Sequence, residues 1–279
     1  MLESCYCGKI NFKTITAKDF LYGALNTYEY NVCINCNSFY LKDIVSEVNY
    51  NENYYSLKLS RVNRLKSILR IIRYKSLFGD LINILKPISL YNKIVIDFLK
   101  SKKSVPLDHG SGNSNYIDFL KRLKFINRGY SYDPYAKDRL TFKSLSNIPF
   151  EEINLVISNQ SIEHVKDPLN ELNKMYDLTL NKCEMIFSVP VSGSVLNFFK
   201  QYSFTLQAPD HVTILSLSTW KILISKTKWK INSISEDHNS QKFYLEESFK
   251  ILNNNNKTLN KKLNLNLNPV DNIVFHLKK

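Results

Sequence analysis

The chain has 279 residues, enough for one full α/β domain and a small accessory module. No apolar run approaches the roughly 18 to 20 residues that span a bilayer, and Met1-Leu-Glu-Ser-Cys-Tyr-Cys lacks a basic-then-apolar secretory pattern. The expected setting is therefore cytoplasmic, where the five cysteines are reduced thiols or metal ligands; much of the net charge of +13 comes from the segment Leu57 to Lys75 and from Lys100, Lys102 and Lys103.

Four of those cysteines fall early, at Cys5, Cys7, Cys33 and Cys36. Tetrahedral zinc takes four thiolates from two knuckles, and Cys33-x-x-Cys36 has the usual spacing of one of them. Cys5-x-Cys7 is one residue short, but Gly8 permits the tight turn a knuckle needs. The expectation is a structural zinc in a ribbon-like module over residues 1–50, the alternative being four packed thiols. Four thiolates leave no open position for catalysis. Cys183 reads as a packing residue.

Residues 51–92 read as a linker. Within it, Leu57 to Lys75 carries Lys58, Arg61, Arg64, Lys66, Arg70, Arg73 and Lys75 and no acidic residue. Leu59, Val62, Leu65, Leu69 and Ile72 recur at helical spacing, so the segment predicts a helix packed by one stripe with a solvated basic face. The sharper reading is a surface for anionic lipid, a pyrophosphate- or lipid-linked substrate, or nucleic acid, the lipid case making the protein peripheral to the inner face of the membrane.

The next signal is Val105-Pro-Leu-Asp-His-Gly-Ser-Gly-Asn-Ser: a short strand, a turn at Gly110 and Gly112, and a helix opening at Asn113. A second strand, Phe125 to Tyr132, ends in Asp133. This is the first half of a nucleotide-binding βαβ unit, where glycines let the backbone approach a ligand that a Cβ would block. The dinucleotide fingerprint wants a third glycine where Asn115 stands. Ile153-Asn-Leu-Val-Ile-Ser-Asn-Gln-Ser-Ile-Glu-His-Val-Lys-Asp-Pro-Leu then gives a buried strand, a loop, and an Asp167 cap for a helix that accepts Pro168 in its first turn. Leu169 to Leu180 is the helix, and Glu184 to Val189 the strand after it, stopped by Pro190. Beyond Pro209-Asp-His-Val come Leu215-Ser-Leu-Ser-Thr-Trp, a strand at Lys228-Trp-Lys-Ile, a low-complexity insert around Asn253–Asn256 and Leu263–Asn268, and an alternating closing strand, Asn272 to Leu277.

From about Lys93 onward, the order and spacing of these motifs resemble the class I S-adenosylmethionine-dependent methyltransferases of the small-molecule branch. The resemblance implies an α/β, Rossmann-like seven-stranded mixed sheet with helices on both faces over residues 93–279. It implies S-adenosylmethionine as cofactor, held by Asp108, Gly110, Gly112, Asp133 and Asn159, with Asp133 on the ribose hydroxyls. Ser114 stands where the family usually has glycine, and His109 where it has an apolar residue. A zinc ribbon ahead of such a domain resembles the branch that acts on sugars, so the expected acceptor is a sugar or related small molecule of cell-envelope polysaccharide synthesis. His211, in the loop after the fifth strand, is the first candidate for a base and His164 the second. Nucleic acid is disfavoured as substrate: the residues after the fourth strand are Ser158-Asn-Gln-Ser rather than the Asn/Asp-Pro-Pro-aromatic of adenine enzymes, and no cysteine follows Pro190. The competing class is an RNA-associated or catalytically degenerate module that keeps the fold.

Overall fold

The computed structural model describes residues 4–19, 26–43, 89–112, 115–136, 141–254 and 268–279. The basic segment Leu57 to Lys75, most of the linker, Asn113, Ser114 and most of the low-complexity insert lie outside the described residues. Three strands open the chain: β1 (Phe12–Lys18), β2 (Thr27–Cys33) and β3 (Phe39–Leu41). Then come α1 (Leu90–Ser101), β4 (Pro106–His109), α2 (Asn115–Arg122) and β5 (Tyr130–Tyr132). They are followed by β6 (Leu155–Asn159), α3 (Pro168–Leu178), β7 (Glu184–Pro190) and α4 (Ser194–Phe199). The chain closes with β8 (Thr213–Ile214), α5 (Leu217–Ser225), β9 (Lys230–Glu236), α6 (His238–Asn254) and β10 (Asn272–Lys278).

The main sheet runs β5-β4-β6-β7-β10-β9. β5, β4, β6 and β7 are parallel, and β10 enters antiparallel between β7 and β9. Strand alternation sends side chains to both faces. Leu155 and Ile157 of β6, Ile186 of β7 and Val274 of β10 meet Val95, Ile96, Ile117 and Leu120 of α1 and α2. Val156, Met185, Phe187, Val189, Phe275 and Leu277 meet Leu172, Met175, Trp220 and Leu223 of α3 and α5 on the other face. All four of Leu155, Val156, Phe187 and Phe275 are fully buried, and truncating one such side chain to alanine costs about 2 to 5 kcal/mol.

Two expectations need correction. The sheet has six strands among the described residues, not seven: the third parallel strand is reduced to one bridge, Tyr132 to Phe142. Ser144 ends it there, its hydroxyl accepting from the Ser146 amide to start a 3-10 turn. The strand expected from Phe125 is only Tyr130–Tyr132, because the Phe125 amide still bonds the Leu120 carbonyl to close α2. Ile126 packs with the helices, and Phe125 lies against that cluster.

β1, β2 and β3 form an antiparallel sheet whose fourth strand is β8, from far along the chain. Tyr30, Val32, Phe39 and Leu41 pack against Leu196, Leu206, Ala208 and Val212, so this sheet grips the segment between β7 and β8. Cys5, Cys33 and Tyr40 belong to the same cluster as Phe187 and Trp220. Among the described residues no helix is long and apolar enough to cross a membrane.

Candidate active site

β4 delivers its chemistry at its carboxyl end. Gly110 has φ +76 and Gly112 φ +55, and the amides of Gly110 and Ser111 both donate to the Tyr132 carbonyl, at 2.8 and 3.0 Å. A Cβ on Gly110 would run into the Ser161 side chain, so glycine is required there for space as well as for its left-handed backbone. Ser161, from the loop after β6, donates its hydroxyl to the Gly110 carbonyl at 3.2 Å. Asp133, just past β5, accepts the Gly112 amide on Oδ2 at 2.9 Å and the Tyr135 amide on Oδ1 at 2.8 Å. Each of its oxygens keeps a further acceptor position. Asn159 ends β6 exposed, on the same rim.

Asp108 is nearly closed to solvent, and burial followed by the charge of Asp133 pushes its carboxyl up to about 7. Burial likewise raises Asp133. A site where two carboxylates crowd each other favours a cationic ligand. His109 turns away from the turn, its Nε2 at 2.8 Å from Glu171 Oε1 on α3, and its ring lies 5.2 Å from that of Tyr132.

The loop after β6 meets the segment before β8. Val212 donates its amide to the Glu163 carbonyl at 3.0 Å, and the rings of His164 and His211 lie edge to face, 5.0 Å apart. His164 Nδ1 donates to the Asp210 carbonyl at 2.8 Å and His211 Nδ1 to the Thr205 carbonyl at 2.6 Å, which leaves the lone pair of each imidazole on Nε2. Burial lowers His164 to about 4; burial, then the charge of His164, lowers His211 to about 3. Tyr30 of β2 donates its hydroxyl to the His211 carbonyl at 2.9 Å, so the first sheet fixes this loop directly. Glu163 is 0% exposed and burial pushes it up to about 8.

At the chain's start, Cys5 Sγ lies 3.5 Å from Cys36 Sγ and Cys7 Sγ 3.6 Å from Cys33 Sγ, and all four sulfurs lie within 4.8 Å of one another. Two turns place them. Gly8, with φ +81, donates to the Cys5 carbonyl at 2.8 Å, and Asn37, with φ +55, donates to the Cys33 carbonyl at 2.9 Å. Ser38 ties the second turn to the main fold through Thr219 of α5 and the Ser216 amide.

Sequence reasoning placed Asp108, Gly110, Gly112, Asp133, Asn159 and His164 on the rim, and the structure sets His211 beside His164. It missed Gln160, whose φ of +53 turns its amide back onto Ser188 and Asn272, both at 2.8 Å. A glutamine at positive φ has no local sequence signal.

A parallel sheet with a glycine turn and an acidic residue on adjacent carboxyl edges defines a nucleotide-binding protein of the Rossmann-like type. Residues 85–233 match the family model described as a methyltransferase domain, so the chain belongs to that family and the protein is a methyltransferase. Comparison with curated protein sequences finds no match. Among solved structures, a methyltransferase from Bacillus halodurans is similar at 11% identity, over 66% of this chain and 98% of its own, with a TM-score of 0.46. The YcgJ protein of Bacillus subtilis is 14% identical over 68% of this chain and 97% of its own, with a TM-score of 0.47. A Galdieria sulphuraria protein described as a sarcosine dimethylglycine methyltransferase is 13% identical over 67% and 86%, with a TM-score of 0.46.

Proposed function

We propose that the protein methylates a hydroxyl of a sugar or related small acceptor in cell-envelope polysaccharide synthesis, from S-adenosylmethionine seated across the carboxyl ends of β4, β5 and β6. S-adenosylmethionine, when bound, supplies a methyl group on a sulfonium. Gly110 lets the turn close in a left-handed conformation against Ser161, and the crowded pair Asp108 and Asp133 suits the positive charge of the sulfonium. Asp133 accepts the ribose hydroxyls on the positions its two amide bonds leave open, and Asn159 borders the same rim.

The observation that carries the acceptor class is the cysteine cluster packed into a methyltransferase fold, the arrangement that resembles the sugar-acting branch. The cluster suits zinc: bonds of about 2.3 Å in a tetrahedron set sulfurs about 3.8 Å apart, close to the 3.5 and 3.6 Å present. Cys5, Cys7, Cys33 and Cys36 would hold it as a closed, structural site. Its role is to pin the first sheet, which in turn holds the loop bearing His211 through Tyr30 and β8. The cysteine module and the methyltransferase fold thus act as one unit.

His211 and His164 present basic Nε2 atoms on the acceptor side. Burial makes the imidazole of His211 a weak proton acceptor by itself, so a hydroxyl bound there needs further activation. The test is incubation with isotopically labelled cofactor and an extract of envelope precursors, followed by mass analysis. Label on a nucleotide-linked or lipid-linked sugar supports the reading, and label confined to protein or RNA ends it.

A further inference from the structure

We propose that Glu163, His164 and His211 form a binding site for a divalent transition-metal ion, separate from the cysteine cluster. One donor atom from each lies within 4.8 Å of the others, and His211 Nε2 is 3.9 Å from Glu163 Oε1. That separation is too long for a hydrogen bond. In a tetrahedral site two bonds of about 2.1 Å set donor atoms about 3.4 Å apart, so this pair needs to close by about half an ångström to hold an ion between them.

Glu163 is the decisive residue. It is fully buried, and neither carboxylate oxygen has a hydrogen-bond partner. Buried polar atoms are almost always paired, and a buried carboxyl group is hydrogen-bonded, neutralised by a proton or bound to a metal. Here both oxygens are orphaned while two imidazoles stand beside them.

Those imidazoles are oriented as metal ligands are. Each gives its Nδ1 proton to a backbone carbonyl, Asp210 or Thr205, which fixes the tautomer and places the lone pair on Nε2. The two halves of the site are tied by the bond from Val212 to the Glu163 carbonyl. Two imidazole nitrogens and one carboxylate suit Zn²⁺, Mn²⁺, Fe²⁺ or Co²⁺ better than Mg²⁺ or Ca²⁺, which prefer all-oxygen shells.

Three protein ligands leave positions open. His164 is partly exposed, whereas Glu163 and His211 are closed off. The open position would take the acceptor oxygen, a step that rests on the methyl-transfer reading; ion binding does not. The bound hydroxyl gives its proton to solvent, and the oxygen lone pair forms the new O–CH₃ bond. The S–CH₃ bond breaks with its electron pair staying on sulfur, which leaves as a neutral thioether. An ion that lowers the pKa of a bound hydroxyl activates it without a protein base.

The experiment uses the full chain, saturated with zinc at the cysteines and then titrated with Co²⁺. A second ion per chain is expected by elemental analysis, with visible d–d absorption and no thiolate charge-transfer band. Glu163→Gln, nearly isosteric, and His164→Gln, at the partly exposed ligand, should each weaken this second ion at least 100-fold while the cysteine-bound zinc stays. Circular dichroism checks that each variant is folded. One ion per chain in the wild type overturns the inference, as does a second ion held equally well by both variants. Calorimetry with S-adenosylhomocysteine on the same samples separates the two claims. Nucleoside binding without a second ion removes only the ion, and a second ion without nucleoside binding removes only the methyl-transfer reading.

Discussion

Asp133 does two jobs that one substitution can separate. Its Oδ2 accepts the Gly112 amide at 2.9 Å and its Oδ1 the Tyr135 amide at 2.8 Å, so the carboxylate shapes the glycine turn before any ligand arrives. Its spare acceptor positions are those assigned to the two ribose hydroxyls. Asp133→Ala removes both bonds to the ligand, which at about 1 to 2 kcal/mol each gives about 2 to 4 kcal/mol, or roughly a 30- to 1000-fold rise in Kd. Asp133→Asn keeps one acceptor oxygen and loses the charge, so it should fall between. Titration calorimetry with S-adenosylhomocysteine reads the effect, and thermal unfolding of each variant separates lost ligand contacts from a collapsed turn. A folded Asp133→Ala variant whose Kd lies within about threefold of wild type would refute the placement of the ribose.

Gly110→Val should abolish cofactor binding, because it forces a branched side chain into a left-handed backbone and against Ser161; unchanged affinity in calorimetry contradicts the cradle. Asp108 has a folded-state pKa of about 7, above its unfolded value, so the stability it contributes is full below about pH 4 and lost as pH rises toward 7. Asp108→Asn should remove a slope of about 1.4 kcal/mol per pH unit from urea unfolding between those limits, and parallel pH profiles for the two proteins would sink the assignment. Elemental analysis should find one zinc held by Cys5, Cys7, Cys33 and Cys36, and its removal by chelator should raise hydrogen exchange in Thr27–Cys33 and in the 205–214 segment that this sheet grips. Protein purified without chelator and free of zinc speaks against that site. His211→Gln should keep cofactor affinity and lower turnover, because it removes the imidazole beside which the acceptor hydroxyl is placed; full turnover removes His211 from the acceptor side.

What was legible in the sequence is what short-range physics determines. Asp167 caps α3 by accepting the Asn170 amide three residues on, with Pro168 in the first turn, and the cap could be read from those residues alone. The turn at Gly110 and Gly112 was legible because glycine adopts left-handed backbone angles at no steric cost, and at Gly110 no Cβ would fit beside Ser161. The alternating closing strand was legible because its two faces meet different layers. The count of seven strands misled, because beside Tyr132 only a single bridge to Phe142 forms before Ser144 starts a turn.

Tertiary structure alone decided the rest. β8 is two residues long and has no periodicity of its own; it exists because β3 offers an edge for Thr213 and Ile214. Tyr30 reaches the His211 carbonyl across 181 residues, and Glu163 faces His211 only because the loop after β6 and the segment before β8 are clamped together. Local preferences decide where strands, caps and turns begin and end. Which side chains share a buried space depends on chain closure over long separations, and no local pattern records it.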